Sequence, residues 1–351
     1  MDCFISINST NKAKTDLDSL MRKMGYKDFA IRGVGKRHVE TFVRKCLSMI
    51  NLLCRLHRDD VLVIQYPFKK FYTLQCRIAR WKGAKTITLI HDLGSFRRRK
   101  LSVEQEMKRL SNTDFIIAHN PAMKAWIEKQ AAAFLPHKDG KNAFDHKINC
   151  LYIFDYLSEV EPHLHTGSHR HNHIVYAGGL GVRKNLFLYQ AGQAMPSCSI
   201  DLYGSGNLNP SLFAPNIHFH GRIGSDDFIR GAQGDWGLVW DGDSIENCSG
   251  MWGEYLKYNN PHKASFYIRA GLPIIVWKAS AMAAFVEQEG VGLVINNLHE
   301  VESKIAAVGD EQYREMCQRA LLISRRLEDG YYFRKAINDA LSRIRHTQNP
   351  N

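Results

Sequence analysis

Apolar residues along this chain recur in two alternating rhythms. Short continuous runs stand at 3–8, 29–32, 61–66, 86–91, 115–119 and 150–154. Stretches of helical period lie between most of them. Leu17, Leu20, Met21 and Met24 share one face, and Phe42, Cys46, Met49, Leu53 and Leu56 share another. Short buried strands alternating with helices predict a parallel sheet covered on both faces. Residues 156–172 break the rhythm: they are polar, aperiodic and contain Pro162 and Gly167, which reads as a linker. Strand-like runs resume at 174–177, 199–203, 217–220, 237–240, 273–277 and 292–295, with helices predicted over 186–194, 225–232, 262–270, 280–289 and 300–308. The stretch 311–346 is helical and charged, with a break at Asp329-Gly330. The expected plan is therefore α/β, with two Rossmann-like doubly wound domains facing across a cleft. They span 1–158 and 173–325, joined by a linker at 159–172 and followed by a helical tail, 326–351, that packs back on the first. Ligands of such sheets bind outside the carboxyl ends of the strands, which makes the cleft the expected site.

Composition narrows the class. The chain has 351 residues, 44% of them hydrophobic and 23% charged, as in ordinary globular proteins rather than disordered or fibrous ones. No apolar run approaches the roughly 18–20 residues of a membrane span. The start, Met1-Asp2-Cys3-Phe4-Ile5, reads as a first strand rather than a signal peptide. Eight scattered cysteines without a CxxC pair read as reduced thiols, so a cytoplasmic setting is expected. Charge is lopsided: residues 1–150 carry 29 Lys and Arg against 14 Asp and Glu, and residues 151–300 carry 9 against 14. A basic first half favours an anionic macromolecule or the inner face of a membrane, against the plainer reading of a solvated basic surface. Its peaks are Lys69-Lys70 and Arg97-Arg98-Arg99-Lys100. No nucleic-acid-binding signature accompanies them, and no nucleic acid partner is expected.

Several ligand chemistries fail at once. No glycine follows the first strand, where Asn8-Ser9-Thr10-Asn11 stands, and Gly204-Ser205-Gly206 meets Asn209 where a third glycine belongs, so a dinucleotide fingerprint is absent. Gly35-Lys36 and Gly140-Lys141 lack the Ser or Thr of a P-loop. Histidines 163, 165, 169, 171 and 173 cluster without Cys or carboxylate ligands at finger-like spacing, so no metal site is expected.

Two stretches remain. In 259–276, Asn260 is placed to cap a helix whose first residue is Pro261 and which Gly271 ends. Lys263 then lies in the first turn, where a cation opposes the helix dipole unless an anion also sits there. Free amides, dipole and lysine together suit a diphosphate, although a surface lysine at a helix start fits as well. In 175–185 a strand runs into Gly178-Gly179-Leu180-Gly181 and then Arg183-Lys184. There backbone can approach a ligand closely and paired cations can neutralise phosphate oxygens. Tyr203-Gly204 and Trp240-Asp241-Gly242 end two further strands, and turn chemistry alone would explain them.

Four segments carry a resemblance that covers nearly the whole chain. They are INSTNKAKTDLDSL (7–20), LIHDLGSFR (89–97), YAGGLGVRKNLFL (176–188) and YNNPHKASFYIRAGLPIIVW (258–277). The chain resembles GT-B glycosyltransferases of the bacterial glucosyltransferase-3-like and beta-1,6-galactofuranosyltransferase-like group. The resemblance implies a second domain that holds uridine diphosphate through Arg183, Tyr203, Asn260 and Lys263, and a first domain that holds the acceptor. Retaining members of the wider superfamily often place two glutamates seven residues apart. Here Glu246 and Glu254 are eight apart, and no acid stands in 259–271.

The expected activity is hexosyl transfer, of galactofuranose or glucose, from a UDP-sugar to a glycan, lipid-linked or glycoprotein acceptor in cell-surface polysaccharide or glycoprotein synthesis, with no cofactor and no metal. Donor contacts are assigned to Gly178, Gly179, Arg183, Lys184, Tyr203, Gly204, Asp241, Asn259, Asn260 and Lys263. His91 and Asp92, just past a strand of the basic domain, are the candidate bases. Asn8, Ser9, Thr10 and Arg97 are placed at the acceptor. A peripheral contact with the anionic membrane is expected, and a homo-oligomer is compatible with the pattern. Two alternatives stay open: a non-catalytic transferase-like subunit of a glycosylation complex, and a sugar-nucleotide epimerase on the same fold. Sugar, acceptor, linkage and stereochemistry also stay open.

Overall fold

The computed structural model describes the chain except residues 7–8, 32, 34–37, 69–70, 98–100, 136–142, 163–171, 232 and 349–351, and the side chains of 38, 97, 347 and 348. It divides into two compact units, Met1–Leu151 with Tyr332–Asn351, and Tyr152–Tyr331.

The first unit holds strands β1 (Asp2–Phe4), β2 (Lys27–Asp28), β3 (Val61–Tyr66), β4 (Lys85–Ile90), β5 (Phe115–Ala118) and β6 (Ile148–Cys150) in the order β2-β1-β3-β4-β5-β6, every pairing parallel. Its helices are α1 (Lys12–Lys23), α2 (His38–Arg55), α3 (Tyr72–Trp81), α4 (Gly94–Arg97), α5 (Val103–Leu110) and α6 (Pro121–Phe134). Strand β3 reads VLVIQY and is buried at every position, as a central strand covered on both faces must be. Helix α5 begins at a capping box in which Ser102 and Gln105 satisfy each other's backbone amides. Helix α6 begins at Asn120, whose side chain accepts from the Met123 amide, with Pro121 in its first turn.

The second unit holds β7 (His173–Leu180), β8 (Ser199–Gly206), β9 (Ile217–Gly221), β10 (Trp236–Val239), β11 (Ile274–Trp277) and β12 (Gly292–Ile295) in the order β12-β11-β10-β7-β8-β9, again all parallel. Its helices are α7 (Val182–Asn185), α8 (Leu188–Ala194), α9 (Ser225–Gly231), α10 (Gly250–Tyr255), α11 (His262–Arg269), α12 (Ala283–Glu289), α13 (Val301–Ala306) and α14 (Asp310–Asp329). A left-handed Gly330 (φ +72°) ends α14, and α15 (Tyr331–Gln348) follows. In each sheet the strand order reverses next to the unit's first strand, between β1 and β3 and between β7 and β10. Such switch points are where open α/β sheets open a ligand crevice.

The structure moves several expected boundaries. The sixth strand lies at 148–150 rather than 150–154, because Tyr152 adopts φ +70° and leaves the sheet. The unit boundary falls after Leu151, ahead of the expected 158. Residues 152–160 are tied into the second unit: Asn260 Nδ2 donates to Tyr152 O (2.9 Å), and Arg269 Nη2 donates to Ser158 O (2.7 Å) and Val160 O (2.8 Å). The tail divides at 331. Ser324 on α14 is bonded to Arg269 of the second unit, whereas Asn149 of the first donates to Ala336 O and Asp339 Oδ2 on α15, both at 2.8 Å. Histidines 163, 165, 169 and 171 lie outside the described residues, and His173 opens β7 with Nε2 2.6 Å from Asp201.

Candidate functional site

The carboxyl edge of the second sheet begins with backbone. Strands β7 and β8 remain paired through Gly178 and Gly204, which take φ +142° and +152°. A Cβ on Gly204 would stand 1.8 Å from the Gly178 carbonyl oxygen, so only glycine fits. A Cβ on Gly178 or Gly179 would meet nothing within 4 Å. Above them opens a cavity of about 500 Å³. Gly178, Gly179, Gly204 and Ser205 line one side, Tyr156, Tyr203, His262 and Phe266 supply aromatic walls, and Lys263 and Arg222 supply cations. The walls are braced: Tyr156 stacks on His262 (4.8 Å, 25°) and Tyr203 on His220 (4.9 Å, 17°).

Lys263 anchors a buried polar network. Its Nζ donates to Tyr176 Oη at 2.7 Å, Asp241 Oδ1 at 2.8 Å and Trp240 O at 3.3 Å, and lies 4.0 Å from the centre of the Tyr176 ring. Asp241 takes a second cation on its other oxygen, Lys184 Nζ at 3.2 Å. The Tyr176 hydroxyl accepts from Asn185 Nδ2 and turns its hydrogen toward Asp241 Oδ1 and Trp240 O. Asn185 closes the glycine turn by accepting the Gly181 amide at 3.1 Å. Burial pushes the Lys263 ammonium down to about 8, with Asp241 pulling the other way. Burial also disfavours the Asp241 carboxylate, but the two lysines overcome it and hold that carboxyl below its usual range.

Two expectations are corrected here. Pro261 is extended (φ −69°, ψ 131°), so α11 starts at His262 and Pro261 is its N-cap. Asn260 is therefore not the N-cap of α11, and its side-chain amide donates to Tyr152 O. The anion that a first-turn lysine demands is already supplied within the chain by Asp241. Of the proposed donor residues, Gly178, Gly179, Tyr203, Gly204 and Lys263 line the cavity. Lys184 and Asp241 stand behind Lys263, Arg183 is exposed on α7, and Asn259 and Asn260 are absent from the cavity wall. The sequence reading missed Tyr176, Asn185 and Arg222. An Asn four residues past Gly181 was the available sign of the closed turn.

In the first unit His91 follows β4 and is buried (8% exposed), while Asp92 is half-buried. His91 Nε2 lies 2.7 Å from Gln65 Oε1. The Gln65 amide nitrogen donates to Asp18 Oδ1 (2.6 Å), which turns its oxygen to the ring and makes Nε2 the protonated nitrogen. The turn after Asp92 is pinned by the fully buried Glu106, which accepts from the Gly94 amide (2.6 Å), the Ser95 amide (2.9 Å) and Tyr66 Oη (2.8 Å). A separate cavity of about 380 Å³ opens beyond β1 and β2, lined by Ser6, Ser9, Asp18, Arg22, Arg44 and Lys45 among others. Ser9 therefore lines a cavity and Thr10 is exposed. Asn8, the Arg97 side chain and residues 98–100 lie outside the described residues.

Two doubly wound parallel units, with a glycine-floored and lysine-bearing cavity on the second, have the α/β plan of the GT-B fold, and the relatives of the chain make it a glycosyltransferase. The chain belongs to the glucosyltransferase 3-like family: the N-terminal domain of that family matches residues 5–132 and the C-terminal domain residues 174–340. It is 29% identical over 307 residues to the beta-1,6-galactofuranosyltransferase WbbI of Escherichia coli K12, covering 86% of each chain. It is 30% identical over 130 residues to glucosyltransferase 3 of Streptococcus gordonii, covering 37% of this chain and 38% of that one. In fold it is similar to the N-terminal domain of Candida albicans trehalose-6-phosphate phosphatase, with a TM-score of 0.53 and 10% identity over 96% of this chain and 82% of that one. It is also similar to sucrose-phosphate synthase of Thermosynechococcus elongatus, with a TM-score of 0.50 and 14% identity over 90% and 80%. Among the described residues no helix is long and apolar enough to cross a membrane.

Proposed function

We propose that this glycosyltransferase moves a hexose, galactofuranose or glucose, from a UDP-sugar to a growing cell-surface glycan held on lipid or protein, and that it needs no divalent metal. The observation that carries the reading is the Lys263 ammonium, held in the wall of a cavity whose floor is bare backbone. A diphosphate entering there meets Lys263, Arg222 and the first amides of α11, with Lys184 and Arg183 nearby. Charge that develops on the leaving diphosphate is stabilised by these fixed groups, which need no reorganisation. The aromatic walls suit a flat uracil ring. The galactofuranosyl and glucosyl relatives support a hexose. In an inverting transfer the acceptor hydroxyl gives its proton to His91 or Asp92, and the basic cavity of the first unit suits an acceptor carrying negative charge.

The test is calorimetric titration of the full chain with UDP, alongside the Lys263→Ala variant. The wild type binds, and the variant loses a charge-assisted contact worth ~1.5–3 kcal/mol, about 10- to 150-fold in affinity. Unchanged UDP affinity in a folded variant overturns the assignment.

A further inference from the structure

In the first unit, α2 carries its apolar residues on the wrong side for a core helix. Val39 (73% exposed), Val43 (47%), Leu47 (44%) and Ile50 (56%) recur at intervals of three or four and form one outward stripe. Opposite them Ser48, Leu52 and Leu56 face the sheet. Eighteen residues of helix make this face about 27 Å long. The neighbouring α3 packs against α2, with Phe42 and Phe71 5.8 Å apart. Both helices cross between strands in the same direction along the sheet, so right-handed crossovers put them on the same side of it. On α3, Trp81 is 76% exposed and Arg77 is exposed one turn away. A solvated helix face has no use for such a stripe.

We propose that the outward face of α2, with Trp81 of α3, seats the protein on an anionic lipid surface. An interfacial helix buries an apolar stripe below the headgroups and keeps Lys and Arg on its flanks. On the neighbouring α3 the exposed Trp81, a residue type that favours the membrane interface, and the exposed Arg77 one turn before it supply the aromatic and basic groups. The occupant follows from charge: residues 1–150 hold 29 basic against 14 acidic groups, which attracts an anionic bilayer and opposes apposition of a second copy of the same face. The other flank of α2 lends Thr41, Arg44, Lys45 and Ser48 to the cavity beyond β1, so a docked α2 brings that cavity to the headgroup plane, where a lipid-linked glycan is found. The inference is independent of which nucleotide the second unit holds.

Sedimentation of the full chain with phosphatidylglycerol vesicles, and in parallel with phosphatidylcholine vesicles, tests it on the wild type, on Val43→Asp/Ile50→Asp and on Arg77→Gln. The wild type sediments with the anionic vesicles only, the double variant stays in the supernatant, and Arg77→Gln loses about fivefold, the equivalent of ~1 kcal/mol per near-surface charge. UDP affinity and melting temperature of the double variant stay at wild-type values, which separates docking from folding and from the donor site. Equal sedimentation of wild type and double variant with anionic vesicles overturns the proposal. So does absence of binding by the wild type. A wild-type dimer that the double variant converts to monomer, without vesicle binding, assigns the face to a second copy and overturns it too.

Discussion

The two units share an all-parallel six-stranded plan, with strand orders 2-1-3-4-5-6 and 3-2-1-4-5-6 counted from each unit's own first strand, and handle their polar groups in opposite ways. In the second, the central cations are bonded within the chain: the buried Lys263 and the half-buried Lys184 both hold Asp241, and Tyr176 and Asn185 tie them to the glycine turn. In the first, the central network is an amide chain from Asp18 through Gln65 to His91, and positive charge is spread over cavity wall and surface. A buried ammonium on a braced frame suits one invariant ligand, such as a diphosphate, whose charge it meets without rearranging. A carboxylate–amide–imidazole chain beside a basic wall suits a variable acceptor, one hydroxyl of which loses its proton in an inverting transfer. Under the proposed function, binding strength belongs to the second unit and proton transfer to the first, and mutations should separate the two.

The largest expected effect comes from His91. His91→Ala should lower kcat about 10²- to 10⁴-fold, the usual worth of a positioned acid or base, and leave UDP affinity unchanged. A variant with unaltered kcat moves the base to Asp92, and a variant with weakened UDP binding breaks the division between the units. The glycine turn sharpens the second half of the comparison. Gly204→Ala forces a Cβ to 1.8 Å from the Gly178 carbonyl, so the second unit should lose more than about 3 kcal/mol or fail to fold. Gly179→Ala meets open space and should melt close to wild type, within about 0.5 kcal/mol, while its methyl intrudes on the donor and raises donor KM. Equal melting temperatures for the two variants would show that the β7–β8 approach relaxes.

Much of this was legible in the sequence, and the parts that were not have physical causes. Periodicity found both sheets because buried parallel strands are continuous apolar runs, such as VLVIQY in β3. Asp329-Gly330 marked the break between the last two helices because glycine there takes the left-handed conformation. The inward side of α2 does not follow from its period alone. Phe42, Cys46, Met49, Leu53 and Leu56 do share a stripe, but Phe42 is half exposed and only Met49 and Leu56 of the five are buried. A helix with apolar residues on two sides has no unique inward face until a neighbour is known. Lys263 was found by its place at a helix start, and Asp241 at a strand end. That the two bond each other is a contact across 22 residues, which no local pattern encodes. The same holds for Arg222, brought to the cavity only by the placement of β9 at the sheet's edge.

A pH series probes the buried ammonium directly and should move affinity by at most about tenfold per unit. Lys263 must be charged to hold a diphosphate, and in the free chain burial brings its proton off near pH 8, below the ordinary lysine value of 10.5. Below that pH the ammonium is present and UDP affinity is flat. Above it binding must first restore the proton, so affinity falls as pH rises from 8 to 10, and calorimetry in buffers of different ionisation enthalpy shows proton uptake. Lys263→Arg abolishes the pH dependence, since a guanidinium stays charged throughout. A flat wild-type profile to pH 10 shows instead that Asp241 keeps the lysine charged.

The smallest expected effect is that of removing divalent metal, and it tests the division of charge at its most exposed point. Asp241-Gly242-Asp243 is a string of two carboxylates on a loop, the kind of donor set that holds Mg²⁺ or Mn²⁺ beside a nucleotide diphosphate. Its geometry points elsewhere. Both oxygens of Asp241 are taken, Oδ1 by Lys263 at 2.8 Å and Oδ2 by Lys184 at 3.2 Å. Asp243 accepts from the Ser249 hydroxyl. A dication at Asp241 would have to displace an ammonium from a buried site that two positive charges already neutralise, and would be repelled by the other. Under the proposed function the two lysines would fill the electrostatic role that a metal has in sites built from paired acids. Turnover of the UDP-sugar measured in EDTA should equal turnover in Mn²⁺ within experimental error, and Lys184→Ala/Lys263→Ala should gain no activity from either ion. Loss of turnover in EDTA, restored by Mn²⁺, would show that Asp241 releases its lysines when the donor enters.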